Sequence, residues 1–157
     1  MTTAVDARML VIGFGNPARG DDGLGPALAE RLRALSPGGV TVESDYQLVI
    51  EHAAMVAEYD VVVFADAARD AGAAPFYFRE IVASHDTGGS THSLSPGQVL
   101  AIAAACFGKR PRAYLLGMRA TRLDDFSERL SPEAREVLER ALEHLMAFAS
   151  EVGGSDS

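Results

Sequence analysis

Five glycines within thirteen residues follow the first apolar run of this chain, and they limit what it can fold into. Met9 to Gly13 reads MLVIG, a short continuous apolar run of the kind buried on both faces of a parallel sheet. The next stretch reads GFGNPARGDDGLG, with glycine at positions 13, 15, 20, 23 and 25. So many glycines imply unusual dihedrals or close backbone approach. A helix follows in GPALAERLRAL, where Leu24, Leu28, Leu32 and Leu35 recur at helical spacing up to Pro37-Gly38-Gly39. A strand, a glycine loop and a helix in that order start an α/β fold.

The remaining pattern continues the alternation. Val40 to Glu43 reads as a strand and Val49 to Tyr59 as a helix. Val61 to Ala65, VVVFA, is the clearest strand and ends in Asp66. Phe76 to Val82 mixes aromatic, charged and aliphatic residues, as an edge strand does. Ser95-Pro96-Gly97-Gln98 has the form of a capping box with proline at the first helical position, and it opens an apolar helix from Val99 to Phe107. Ala113 to Met118 reads as a further strand. Ser131-Pro132 starts a last helix with the face Val137, Leu138, Ala141, Leu142, Leu145 and Ala149. Strands alternating with helices predict a three-layer α/β sandwich, with its site beyond the carboxyl ends of the strands. The chain leaves its first strand at Gly13 and its third at Asp66. Those two points are where chemistry is expected.

Size and composition narrow the function classes. The 157 residues amount to one domain over 1–157, with a core at about 9–149 and a disordered tail at 152–157. Hydrophobic residues make up 48% and charged residues 23%, which excludes disorder as the main state. A net charge of −8 opposes nucleic-acid binding. No run reaches the roughly 18 apolar residues of a membrane span, and MTTAVDAR lacks a signal core. One cysteine, Cys106, cannot form a disulfide framework. The expectation is a cytoplasmic protein.

The glycine loop admits two readings. Gly13, Gly15 and Ala18 fit a dinucleotide fingerprint, with Glu43 or Asp45 placed to hold a ribose. Against it, the helix does not begin at Asn16 to Ala18, Pro17 removes an N–H donor, and Asp21 and Asp22 stand at the start of the helix. Two carboxylates there would repel a pyrophosphate and suit a cation or a proton. They would also serve as a plain cap pair. Asp66 is either a strand-terminating cap or a carboxylate presented at the ligand edge. His92 sits in GGSTHSL, just before the capping box. Asp22, Asp66 and His92 together would make a carboxylate–imidazole set from three loops, suited to a borderline divalent metal with open positions. Sequence spacing alone does not bring them together.

Other candidates are weaker. His52 is expected to be partly exposed, His144 to be a surface residue, and Cys106 to be a buried core thiol. His85 and Asp86 offer a rival set with His92. No G-x-S-x-G elbow and no P-loop lysine supports a serine hydrolase or an NTPase.

MLVIGFGNPARGDDGLGP resembles the N-terminal signature of the hydrogenase maturation proteases, through the element G-x-G-N-x-x-x-x-D-[DE]-x-x-G. VVVFADA, THSLSPGQVLAIAAACFG and LLGMRA resemble the family's third strand, its His-containing loop with the following helix, and its late strand. The resemblance covers about residues 9 to 149. It implies a three-layer α/β/α sandwich with a mixed, mostly parallel five-stranded sheet. It also implies an endopeptidase that removes a C-terminal peptide from the nickel-loaded precursor of a nickel–iron hydrogenase large subunit. The nickel would belong to that substrate, and the catalytic and metal-contacting residues would be Asp22, Asp66 and His92. Many members carry an Asp-Gly-Gly-Thr-like stretch where this chain has Ser44-Asp45-Tyr46-Gln47-Leu48. That variant looks like members serving soluble, cofactor-coupled hydrogenases. A dinucleotide-binding oxidoreductase domain and a non-catalytic metal-sensing module on the same scaffold are the alternatives.

Overall fold

The computed structural model describes residues 8–69, 71–85, 93–123 and 126–153. Its elements are β1 (Met9–Phe14), a 3-10 turn (Gly20–Gly23), α1 (Leu24–Leu35), β2 (Val40–Asp45), α2 (Glu51–Val56), β3 (Val61–Ala68), β4 (Phe76–Ile81), α3 (Pro96–Phe107), β5 (Arg112–Arg119) and α4 (Pro132–Val152). The five strands form one sheet in the order β2-β1-β3-β5-β4. All pairs are parallel except β4 with β5. The expected three-layer sandwich with a mixed sheet is therefore the observed one.

The layers follow from alternation along the central strands. Met9 and Val11 of β1 and Val61, Val63 and Ala65 of β3 face α1 and α4. Leu10, Ile12, Val62 and Phe64 face the other way, onto α2 and α3. Both faces are buried, which is why these strands read as unbroken apolar runs. Each fully buried Val, Leu, Ile or Phe contributes about 1.5–3 kcal/mol. Edge strand β2 is half-exposed, as its polar alternation requires.

The capping box is present as read. Ser95 Oγ accepts the Gln98 N–H at 3.1 Å, and Gln98 Oε1 accepts the Ser95 N–H at 2.8 Å. Ser95→Ala is expected to lower stability by about 1 kcal/mol, measured by thermal unfolding. An unchanged midpoint would show that α3 is held by packing alone.

Several expectations need correcting. The second helix is shorter than Val49 to Tyr59, because the chain tightens into i→i+3 turns at Glu58 and Tyr59. The last helix runs to Val152, so the expected tail at 152–157 begins too early, and 154–157 lie outside the described residues. Cys106 is exposed, not buried. Only Val99, Leu100 and Ala103 of α3 are buried, and the last three residues of the helix are exposed. His52 is 3% exposed rather than partly exposed. It shares the inner face of α2 with Ala53 and Val56, and its Nδ1 accepts the Val49 N–H at 2.9 Å. His144 is on the surface as expected, against the rings of Phe76 and Phe78. No helix among the described residues is long and apolar enough to cross a membrane.

Candidate functional site

The strand order reverses between β1 and β3. From β1 the chain passes through α1 to β2 on one side, whereas β5 and β4 lie beyond β3 on the other. A crevice opens beyond the carboxyl ends at such a point. The sequence delivers one acid from each bordering strand. Asp22 follows β1 in the 3-10 turn, and Asp66 lies near the end of β3. Both line one cleft of about 210 Å³, together with Arg19, Ala67, Arg69 and Leu123. Larger hollows exist among the described residues, including one of about 410 Å³ under Val82 at the opposite sheet edge. The smaller cleft is the one that holds the two acids singled out in the sequence, Asp22 and Asp66.

The two acids differ in environment. Asp22 Oδ2 accepts the Asn16 N–H at 2.8 Å, which turns the side chain within the loop. Asp66 is mostly buried, and its Oδ1 accepts the N–H of Ala67 at 2.8 Å. Burial pushes the Asp66 carboxyl up to about 7. The Ala67 N–H works against that shift and the negative charge of Asp22 adds to it. Asp66 therefore exchanges a proton near neutral pH, a property suited to acid–base work or to binding a cation.

The adjacent acids Asp21 and Asp22 do not act together. Asp21, which the sequence offers with Asp22 as either a cation or proton site or a cap pair, is fully buried and does not line the cleft. Its Oδ1 accepts the Ser131 N–H at 2.7 Å. Its Oδ2 accepts from Thr121 N–H, Arg122 N–H and the Ser131 hydroxyl, each at 2.8 Å. Burial raises its pKa, but the bonds from Ser131, Arg122 and Thr121 outweigh it and hold the carboxyl below its ordinary value. The pair also precedes α1 in a separate 3-10 turn, instead of forming the first turn of the helix. That turn separates Gly13 to Ala18 from the start of the helix at Leu24, so the dinucleotide fingerprint lacks its phosphate seat.

His92 lies outside the described residues, as does Asp86. Leu94 N–H donates to Leu48 O at 2.9 Å, and Ser95 caps α3. His85 is exposed. Among the described residues no group of three or more His, Cys, Asp or Glu side chains forms a metal cage. The cleft there offers two carboxylates. Arg19 and Arg69 were missed in the sequence, although each stands three residues from a singled-out acid. Leu123 was missed because it comes from the connection after β5, far along the chain.

No protein-family model matches the chain, and no curated protein matches it. Solved structures do. The chain is similar to a [NiFe] hydrogenase maturation protease, HycI, from Thermococcus kodakarensis, with a TM-score of 0.73 and 25% identity, over 92% of this chain and 93% of that one. It is also similar to the hydrogenase maturating endopeptidase HybD from E. coli, with a TM-score of 0.71 and 27% identity, over 93% and 94%. A third similar structure is an endopeptidase from Escherichia coli, with a TM-score of 0.74 and 24% identity, over 93% and 94%. The resemblance first met in the glycine loop thus extends over the fold.

Proposed function

We propose that this chain is a maturation endopeptidase that removes a C-terminal peptide from the nickel-loaded precursor of a nickel–iron hydrogenase large subunit. The observation that carries the reading is the convergence of Asp22, from the 3-10 turn after β1, and Asp66, from β3, on one cleft at the strand-order reversal. The similarity to HycI and HybD supplies the reaction class. In this reading the nickel arrives with the substrate. Asp22, Asp66 and His92 are the side chains that share it, two hard carboxylate oxygens and one borderline imidazole nitrogen, with positions left for the substrate. The ion thereby reports that the precursor is loaded.

The chain's own groups account for the proton handling. Burial pushes the Asp66 carboxyl up to about 7 in the metal-free chain; a cation shared with Asp22 would favour its carboxylate form, which can take a proton from an attacking water and return it to the leaving amine. In this reading an activated water is the nucleophile, and the described lining of the cleft offers it Asp22 and Asp66 as bases.

The test is to incubate nickel-loaded precursor with the protein and weigh the product by mass spectrometry. The wild type should shorten the precursor. Asp22→Ala and His92→Ala should remain folded and leave its mass unchanged. Cleavage by both variants at the wild-type rate would remove the assignment. Binding of precursor by the wild type without any change in mass would instead favour a metal-sensing module.

A further inference from the structure

A buried carboxylate is costly unless it is fully paired, and Asp21 is both buried and charged. Its four hydrogen bonds all reach one connection, the segment between β5 and α4. Two backbone bonds reinforce them. Asp21 N–H donates to Arg122 O and Gly20 N–H to Ser127 O, both at 2.7 Å. The Ser131 hydroxyl donates to Asp21 Oδ2 and accepts the Ala134 N–H at 3.1 Å, so the start of α4 joins the same assembly. The 3-10 turn is thus fixed from its inner side while Asp22, the next residue, looks outward to Asp66. The braced connection also supplies Leu123 to the cleft.

We propose that Asp21 is a positioning residue: by stapling the glycine loop to the β5–α4 connection, it holds Asp22 opposite Asp66 and sets the cleft wall at Leu123. The inference rests on the proteolytic reading for its catalytic consequence and on geometry alone for the placement. The chemistry explains the residue type. Thr121 N–H, Arg122 N–H, Ser131 N–H and the Ser131 hydroxyl are four donors converging on one side chain. A carboxylate accepts all four, whereas an asparagine offers one oxygen and turns its own donors into the cluster.

The experiment uses Asp21→Asn, Ser131→Ala and a control, Val137→Ala, which truncates the buried face of α4 without touching the staple. The reporter is the amide of Asn16, which donates to Asp22 Oδ2. Its resonance and hydrogen exchange are followed with those of Thr121 and Arg122. In both staple variants the Asn16 amide should shift and exchange about tenfold faster. In the control it should stay in place. In a precursor-cleavage assay the staple variants should lose about tenfold or more in kcat, with KM within about twofold. If Asp21→Asn does not fold, Ser131→Ala carries the test. Loss of protection at Thr121 and Arg122 with an unmoved Asn16 amide would reduce Asp21 to a structural brace and overturn the proposal. The amide measurement decides the placement even if the wild type cuts no precursor, an outcome that would fail the proteolytic reading instead.

Discussion

Asp66→Asn is expected to be more stable than the parent above pH 7 and to leave a nickel-loaded precursor uncut. The folded pKa of Asp66 is about 7, against an ordinary value of 3.8. Below pH 3.8 the carboxyl is protonated in both the folded and the unfolded chain. Between 3.8 and 7 the unfolded chain releases the proton and the folded chain keeps it, so stability falls as pH rises. Above 7 both forms are ionised and the loss stays constant. Asparagine imitates the protonated acid, can keep the Ala67 N–H bond, and does not ionise. In metal-free protein the variant's advantage should be near zero at pH 3.5 and grow to about 2–4 kcal/mol at pH 8. Urea midpoints at the two pH values measure it. The variant should also lose at least about a hundredfold in cleavage rate, since it neither binds a cation as an anion does nor moves a proton. A stability difference independent of pH would show that Asp66 ionises freely. Retained cleavage would place the chemistry elsewhere.

This opposition of stability and activity bears on what the sequence could reveal. Asp66 was legible because an acid directly after five apolar strand residues stands out, although β3 runs on through it to Ala68. Asp22 was legible through the glycines around it. The layer order was legible because the central strands are buried on both faces. The separation of Asp21 from Asp22 was not. Two adjacent identical residues differ here only by which way a 3-10 turn aims them, and the partners of Asp21 lie about a hundred residues later. The same distance hid Leu123. His52 and Cys106 were misread for a related reason. The burial of each depends on where a helix sits on the sheet, which residue type alone does not determine. His92 was singled out by its place before a capping box, and its part in the site rests on the family resemblance.

Gly25→Ala is expected to damage the fold severely, against what helix propensity suggests. Gly25 lies inside α1, where alanine is favoured over glycine by about 1 kcal/mol. A methyl group there, however, would overlap Phe14 O and stand 2.6 Å from Ala65 O and 2.7 Å from Phe14 N. All three atoms are backbone, at the ends of β1 and β3, and cannot swing aside. A methyl on Gly13 would in turn overlap Gly25 O, so the two glycines let the helix and the strand approach from both sides. The expected loss is about 3 kcal/mol or more, a large part of the stability of a domain this size. Urea unfolding would show it as a lowered midpoint, and a raised midpoint would mean that propensity outweighs the contact. The position matters for function because this contact joins the start of α1, just after the turn that carries Asp22, to the end of β1 and to β3, which carries Asp66. The glycines at 13 and 25 let α1, β1 and β3 approach closely, and so bring Asp22 and Asp66 towards one cleft.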